Sequence, residues 1–144
     1  MMRSTKSWLP KLRPDQQPKV VRDRRGRMLV PTPMQVAQAL RRVPAGRVIT
    51  AEQVRMRLAR AAGVDLTCPM TTGIFLSIIA GAAEEEIARG HRPVAPYWRV
   101  VQADGSLPAK FPIRPGAHAR HLRGEGHRIA RGRVVDLERA LVRR

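Results

Sequence analysis

The sequence predicts a mainly α-helical fold of the winged helix-turn-helix type, with a short β-hairpin behind the helices. Three segments show helical spacing of apolar residues, namely 33–43, 50–62 and 69–89. A pattern typical of a basic hairpin then follows near residue 128. The length of 144 residues fits one domain. We therefore expect a flexible basic arm over residues 1–27 and one winged helix-turn-helix domain over residues 28–144.

The predicted arm combines three prolines with nine basic and two acidic side chains, and it has few apolar residues. This composition is typical of a flexible segment. Trp8 is the side chain that we expect to hold part of the arm against the domain. Residues 110–144 are equally basic, so the two ends carry 14 of the 17 excess positive charges. Such ends suit a phosphate backbone, although charged tails that merely keep a protein soluble are the alternative.

Capping residues predict where the first two helices begin. Thr32 before Pro33 is typical of an N-cap with proline at the first helical position. Thr50, with Gln53 three residues later, forms a capping box. Pro44 is expected to end the first of these helices, and Gly63 the second.

The third helix is expected to be buried on most sides. It begins at Pro69, and Ser77 is the one polar residue between Gly73 and Ala83. Thr71 and Thr72, close to its start, are expected to face outward. The acidic run at residues 84–86 is expected to form a solvated or arginine-paired helix end, away from any nucleic acid.

The remaining chain is expected to be mainly loop with short extended pieces over residues 91–117, with a short helix before Gly124 and a basic hairpin at residues 128–135. Asp136 is expected to cap a last short helix. The hairpin arginines are candidates for a wing that crosses phosphates, and a hairpin charged only for solubility is the alternative. These arginines are Arg128, Arg131 and Arg133.

The densest candidate site lies at residues 96–101, Pro-Tyr-Trp-Arg-Val-Val, which is followed by the turn sequence Asp-Gly-Ser-Leu at residues 104–107. Two of the five aromatic residues of the chain, Tyr97 and Trp98, stand side by side here. Aromatic faces beside an arginine can stack a nucleic-acid base, which is worth roughly 1–3 kcal/mol per base. The alternative is that both rings fill core beneath a long loop.

These strings resemble the DNA-binding domain of the alkylguanine-DNA alkyltransferases over roughly residues 33–129. The segment at residues 96–101 is similar to the Pro-Cys-His-Arg-Val signature of that family. Residues 43–50 resemble the approach to the first helix of its helix-turn-helix, and residues 121–129 resemble its Leu-Leu…Glu-Gly closing segment. The strings at residues 68–75 and 96–99 look closest to a subgroup of small members with Pro-Tyr-Trp-Arg.

The resemblance implies a DNA-binding protein without alkyl transfer. Tyr97 stands at the position of the family's nucleophilic Cys and Trp98 at that of its His, and neither side chain can replace that pair at neutral pH. Alkyltransferase-like proteins, which carry Trp at the Cys position, bind alkylated guanine and pass it to excision repair. The implied lesion pocket is formed by Tyr97, Trp98, Arg99 and Ser106. The implied DNA contacts on the helices are Thr50, Gln53, Thr71, Thr72 and Ser77.

Two devices with which the family flips a base have no counterpart in this sequence. The base-rotating Tyr falls at Ala51, and the arginine finger falls at or next to Thr72. Flipping a base costs a few kcal/mol, which insertion and stacking normally offset. A sequence-tolerant basic protein of the nucleoid, or one associated with RNA, is therefore the second hypothesis.

A Cys68-dependent enzyme is the third hypothesis, because Cys68 precedes a helix start, where the pKa of a thiol can fall. His118 and His121 have helical spacing, but two ligands are too few to predict a metal site. We expect no cofactor and no membrane partner. The predicted partner is double-stranded DNA, with RNA open as an alternative and an excision-repair protein as a further partner. The expected form is a cytoplasmic, nucleoid-associated monomer.

Overall fold

The computed structural model describes residues 7–144 as a mixed α/β fold. The helices are α1 (Pro33–Arg41), α2 (Ala51–Ala62), α3 (Pro69–Ala88), α4 (Ala117–Gly124) and α5 (Leu137–Ala140). The strands are β1 (Lys19–Asp23), β2 (Gly26–Val30), β3 (Ile49–Thr50), β4 (Leu66–Thr67), β5 (Val100–Val101), β6 (Ile129–Ala130) and β7 (Arg133–Val134). Two 3₁₀ turns, Leu9–Leu12 and Tyr97–Arg99, complete the elements.

The prediction of a mainly α-helical fold needs correction, because the strands form three small sheets. Their orders are β1-β2-β4, β3-β5 and β6-β7. Strands β3, β4 and β5 are two residues long and pair with distant parts of the chain. A two-residue strand shows no alternation, so its pairing is invisible to a search for periodicity. The helices and the β6-β7 hairpin were predicted; the other strands were not.

The segment expected to be a flexible arm carries ordered elements instead. β1 pairs antiparallel with β2, and β2 pairs in parallel with β4, the strand between α2 and α3. The boundary predicted at residue 28 therefore falls inside β2. Leu29 is only 2 % exposed, and its burial ties the hairpin to the domain. The first six residues of the predicted arm lie outside the described part of the chain.

Trp8 holds the start of the described chain against α3, as expected from the sequence. The indole packs on Gly81, where even a Cβ atom would clash with the ring. The backbone N–H of Trp8 and the hydroxyl of Ser7 both donate to the carboxylate of Glu85. Because Gly81 has no side chain, α3 leaves the space that the indole of Trp8 occupies.

The capping predictions for α1 and α2 are confirmed. Thr32 and Gln35 form a reciprocal capping box, and so do Thr50 and Gln53. Each threonine side chain satisfies an N–H group that the first helical turn leaves without a backbone partner. Gly63 ends α2 with a φ of 68°, a left-handed conformation that favours glycine.

Helix α3 is the centre of the fold, and residues 78–83 are buried all round, as predicted. α1 and α2 pack on its flanks. A second, smaller core lies under the β6-β7 hairpin and includes Val48, Val101 and Leu122. Among residues 7–144, no helix combines the length and the apolar character needed to cross a bilayer.

The acidic end of α3 is neither solvated nor paired with arginine, which corrects the expectation. Glu84 accepts hydrogen bonds from Tyr97 and His121, and Glu86 accepts one from the backbone N–H of Val94 at 2.7 Å. These carboxylates tie the long loop after α3 to the helix. Asp136 precedes α5 as predicted, but its side chain makes no capping hydrogen bond.

Candidate nucleic-acid interface

An open groove of about 770 Å³ separates α2 and α3 from the loop that follows β5. One wall is made by the start of α2 and the first half of α3. The other is made by residues 100–103 and 108–111. Its size lies within the range of sites that hold small organic groups.

The part of the helical wall formed by α3 exposes apolar and small residues rather than charges. Met70 is 75 % exposed and Ile74 is 52 % exposed, whereas residues 78–83 of α3 are buried. Gly73 and Ser77 lie on the same wall, and the space where a Cβ of Gly73 would stand is empty. A cluster of exposed apolar residues on one face of a protein often marks an interaction surface. Sequence periodicity did not identify Met70 and Ile74, because nearly every residue of this helix is apolar.

Two of the predicted DNA contacts line this groove, namely Thr50 and Ser77. Gln53 does not line it, because its side chain completes the α2 cap and donates to the carbonyl of Val142 at 3.0 Å. The hydroxyl of Thr71 donates to the sulfur of Cys68 at 3.2 Å.

Thr72 is fully buried, which contradicts its prediction as an outward DNA contact. Its hydroxyl donates to the carbonyl of Cys68, four residues earlier, at 2.8 Å. Threonine can satisfy its hydroxyl within its own helix in this way, and burial then costs little. A polar residue in an apolar helix therefore does not have to face solvent.

Tyr97 is fully buried and lines no cleft, so the structure corrects its assignment to an open lesion pocket. Its hydroxyl donates to the carboxylate of Glu84 at 2.6 Å. Burial, and next this hydrogen bond, raise the pKa of Tyr97 far above the usual value for a phenol. The hydroxyl therefore stays protonated at neutral pH and is no nucleophile.

Aromatic rings pack around Tyr97 and fill the position that the resemblance assigns to a reactive cysteine. Trp98, Phe111 and His118 meet the Tyr97 ring edge to face, at centroid distances of 5.4–5.9 Å. Trp98 in turn stacks on His121 at 4.1 Å. Phe111 also lines the groove, so a single ring separates the Tyr97 cluster from the open site.

Arg99 belongs to a largely buried ion pair rather than to the groove. It donates to Glu125 at 2.6 Å and to the carbonyl of Val43, and both charged side chains are 14 % exposed. Burial alone would raise the pKa of Glu125, but hydrogen bonds and charge from Arg99 outweigh it, so the pKa is lowered. Trp98 and Arg99 border a separate cleft beside Arg41. Of the predicted pocket residues, Tyr97 is thus enclosed in the core, whereas Trp98 and Arg99 border this separate cleft.

Ser106, the fourth predicted pocket residue, lies in the turn after β5. Its hydroxyl is within hydrogen-bond distance of Asp104 at 2.6 Å and of Gln102 at 3.0 Å. Ser106 also bridges to Arg133 of the β6-β7 hairpin. This contact connects the hairpin to the loop wall of the groove, although Ser106 itself does not line the groove.

His118, His121 and Cys68 each have a polar partner within the protein. Burial lowers the pKa of His118 to about 4, and its ring nitrogen lies 2.8 Å from the carbonyl of Trp98. Within residues 7–144, no three potential ligands form a group that could hold a metal ion. Burial would raise the pKa of the Cys68 thiol, but hydrogen bonds from Thr71 and nearby backbone outweigh it and lower the pKa. No histidine among these residues hydrogen-bonds to that sulfur.

Charged side chains stand on both walls of the groove. Arg55 and the acidic Glu52 lie on the helical wall, and Lys110 lies on the loop wall. The three arginines of the β6-β7 hairpin are exposed, which fits both a phosphate-binding wing and a hairpin charged for solubility, and Arg133 lies 3.4 Å from Asp104. Two basic side chains and one acidic side chain thus accompany the small and apolar groups that line the groove.

Comparison with known proteins gives one informative likeness. No family model matches the chain, and no curated protein matches it. A solved structure of S. pombe Atl1 in complex with damaged DNA containing O6-carboxymethylguanine matches with a TM-score of 0.51 and 19 % sequence identity. The match covers 78 % of this chain and 94 % of that chain. At this identity the likeness establishes a shared fold. The fold implied by the sequence resemblance is thereby confirmed, and the Pro-Tyr-Trp-Arg subgroup stays a prediction.

Proposed function

We propose that this protein binds duplex DNA in the groove between α2, α3 and residues 100–111, and that it transfers no alkyl group. The observation that carries the proposal is the groove itself. Its interior is small and apolar, the basic Arg55 and Lys110 outnumber the single acid Glu52 on its walls, and α2 and α3 form one wall on a fold shared with a DNA-bound protein. Apolar side chains can contact bases or wedge between them, while basic side chains hold phosphates.

The absence of transfer chemistry follows from the Tyr97 cluster. Alkyl transfer needs an exposed, deprotonated nucleophile and a group that accepts its proton. Tyr97 is buried and protonated, and the indole of Trp98 has no proton-accepting nitrogen. The roles proposed for this region are packing and support of the groove wall.

Recognition of alkylated guanine is the finer part of the proposal. Two features support it: the resemblance to alkyltransferase-like proteins, and a groove large enough to accept an alkylated base beside Phe111 and Leu76. An added alkyl group would gain affinity by burial against this apolar wall, at about 25 cal/mol per Å². Excision repair, in a nucleoid setting, is the process in which such a protein would act.

A sequence-tolerant DNA-binding protein is the second candidate. The burial of Thr72 supports it, because this residue stands at or next to the position of the arginine finger and cannot enter a duplex in this conformation. Ala51, at the position of the base-rotating Tyr, supports it as well. Under this hypothesis the groove would hold any B-form duplex, and affinity would come from phosphate contacts.

The decisive experiment compares a duplex carrying one O6-alkylguanine with its unmodified twin at a stated salt concentration. We expect both to bind and the lesion duplex to bind more tightly. Equal affinities would support the second candidate, and no binding of either duplex would refute both. Mass spectrometry of the protein after incubation with the alkylated DNA tests the hypothesis of a Cys68-dependent enzyme. An alkyl adduct on Cys68 would refute the absence of transfer.

A single substitution tests whether the groove is the site. Ile74→Glu places an acid on an exposed groove position, and we expect DNA affinity to fall at least tenfold, because a carboxylate there repels phosphate. Gln38→Glu adds the same charge on the exposed face of α1 and is the matched control. If both variants lose affinity equally, the groove is not the binding site.

A further inference from the structure

The β1-β2 hairpin is the most strongly basic element that the groove proposal leaves unused. Its twelve residues, 19–30, carry five basic side chains and a single acidic one. All five basic residues are exposed, and two of them, Arg24 and Arg25, form the turn between the strands. The hairpin precedes residue 33, so it lies outside the part of the chain that resembles the alkyltransferases.

The hairpin is held in a defined position beside the helix-turn-helix. β2 pairs in parallel with β4, with Met28 opposite Leu66 and Leu29 opposite Thr67. The backbone N–H of Arg27 donates to the Asp65 carboxylate at 2.8 Å, next to Gly26, whose φ is 120°. A Cβ at residue 26 would overlap Asp65, so the close approach requires glycine.

The turn of this hairpin borders the groove. Arg25 lines a small cleft of about 240 Å³ with Arg55 and Pro69, and these last two residues also line the groove. The acids Glu52 and Asp65 line the same cleft, so a phosphate would meet the outer face of the hairpin turn rather than the interior of the cleft. The hairpin therefore adjoins the helical wall. The β6-β7 hairpin adjoins the loop wall through the bridge between Ser106 and Arg133. Two basic hairpins thus flank one groove, from opposite walls.

We propose that the β1-β2 hairpin is a second phosphate-binding element, which contacts the backbone of the same duplex that lies in the groove. This inference rests on the proposed function, because it assumes duplex DNA in the groove. Arginine forks suit phosphate oxygens, and contacts of this kind add affinity without sequence preference. Asp23 pairs with Arg25 at 2.8 Å and orients it, while it also reduces the local positive charge.

The test is the salt dependence of DNA binding by a double variant, Arg24→Ala with Arg25→Ala. Each lost phosphate contact lowers the slope of log affinity against log salt by about 0.9. We therefore expect the slope to fall by about 2 and the affinity to fall on the order of tenfold at 0.1 M salt. The loss should be equal for damaged and undamaged duplexes, because the hairpin contacts no base.

A matched control removes the same charge elsewhere. Arg89→Ala with Arg92→Ala changes two exposed arginines at the far end of α3. We expect the Arg89/Arg92 double variant to keep a salt slope within about 0.5 of that of the unsubstituted protein. This limit is roughly half of the change in slope that one phosphate contact produces. Equal losses in both double variants would mean that only net charge matters, and would overturn the inference. Thermal melting of both variants shows whether the fold is intact.

Asp23→Asn supplies a test of opposite sign. The amide keeps the acceptor for the backbone N–H of Arg25 but removes the negative charge. We expect tighter DNA binding and a steeper salt slope, and unchanged or weaker binding would count against the hairpin.

The outcomes separate this inference from the proposed function. If the unsubstituted protein binds DNA and Ile74→Glu abolishes binding while the Arg24/Arg25 variant does not weaken it, the groove stands and the hairpin inference fails. If the unsubstituted protein binds no duplex DNA, both fail. A hairpin effect seen with an A-form RNA duplex but not with DNA would also overturn the inference and identify RNA as the ligand.

Discussion

The Tyr97 cluster and the groove beside α3 lie on two sides of the Phe111 ring, yet they differ in every respect that matters for binding. The cluster is filled with aromatic rings, and its carboxylate, Glu84, accepts a hydrogen bond from Tyr97. The groove is open, and Met70 and Ile74 leave half or more of their surface to solvent. The resemblance to the alkyltransferases assigns the first region to a lesion pocket and the second to contacts with DNA.

The difference shows that two neighbouring regions of this fold are packed to different degrees. Tyr97 and Trp98 are larger than the Cys and His of the alkyltransferase motif that they resemble in position, and their rings pack where a reactive group would need access. Nothing comparable fills the groove, whose walls keep small residues at Gly73 and Ser77. The four predictions below test the contrast between a filled region and an open one.

The largest expected effect is the loss of the Tyr97 ring. Tyr97→Ala should lower the free energy of unfolding by about 3–5 kcal/mol, because it leaves a cavity under α3 and deprives Glu84 of a hydrogen bond. Chemical denaturation measures the change. Tyr97→Phe is the control that keeps the ring, and it should cost about 1.5–3 kcal/mol. A loss below 1 kcal/mol for the alanine variant would mean that the region is not packed as described.

The second effect is a dependence of stability on pH that originates in the filled region. The pKa of His118 is about 4 in the folded protein and about 6.5 in an unfolded chain, so the unfolded state binds more protons between these values. Stability therefore falls as the pH is lowered from 6.5 to 4, by about 3 kcal/mol. Denaturation of the His118→Phe variant across this range should show a flatter curve. If the dependence of stability on pH is unchanged in this variant, His118 is not the group that makes the protein sensitive to acid.

The third effect concerns the ion pair between Arg99 and Glu125. Glu125→Gln should cost about 2 kcal/mol at neutral pH, since the guanidinium loses a charged partner in a mostly buried site. The lowered pKa of Glu125 means that its contribution is present above the ordinary glutamate range and is lost as the pH falls through the lowered pKa. Asp104→Asn, at the exposed pair with Arg133, is the control and should leave stability unchanged. Equal effects would contradict the burial of the first pair.

The smallest effect tests the open region and has opposite signs in two measurements. Gly73→Ala should raise the free energy of unfolding by about 0.5–1 kcal/mol, because alanine favours a helix and its Cβ meets no neighbour. The same methyl group should weaken DNA binding about threefold if a duplex approaches this wall closely, a penalty below 1 kcal/mol. Gly124→Ala, at the end of α4, is the control for the helix effect alone. If the DNA affinity of the Gly73→Ala variant is unchanged, the duplex does not approach this part of α3 closely.

Local signals in the sequence predicted the helices well. The N-caps at Thr32 and Thr50 and the glycine stop at Gly63 are properties of a few neighbouring residues, and the structure has each of them. The short strands were missed, since pairs such as Ile49 with Val100 depend on chain segments fifty residues apart. The hairpin in the predicted arm was missed for the same reason: its order depends on Asp65 and β4, not on its own composition.

The candidate site was only partly predictable. Sequence alone identified Thr50 and Ser77, but it did not show that Tyr97 turns inward, because an aromatic residue beside arginine suits either a core or a platform for a base. The orientation of Tyr97 depends on its hydrogen bond with Glu84, which the sequence did not reveal. The carboxylate of Glu84 accepts the Tyr97 hydroxyl across thirteen residues of chain, and the acidic run by itself indicated a solvated surface.

Phe111 gives the two regions a shared boundary, because it lines the groove and its ring packs against Tyr97 with the ring centroids 5.9 Å apart. A molecule that enters the groove and shifts this ring also changes the asymmetric surroundings of Tyr97 and Trp98. The native chromophores of the protein would then report occupancy through near-ultraviolet circular dichroism, with no label attached to protein or ligand.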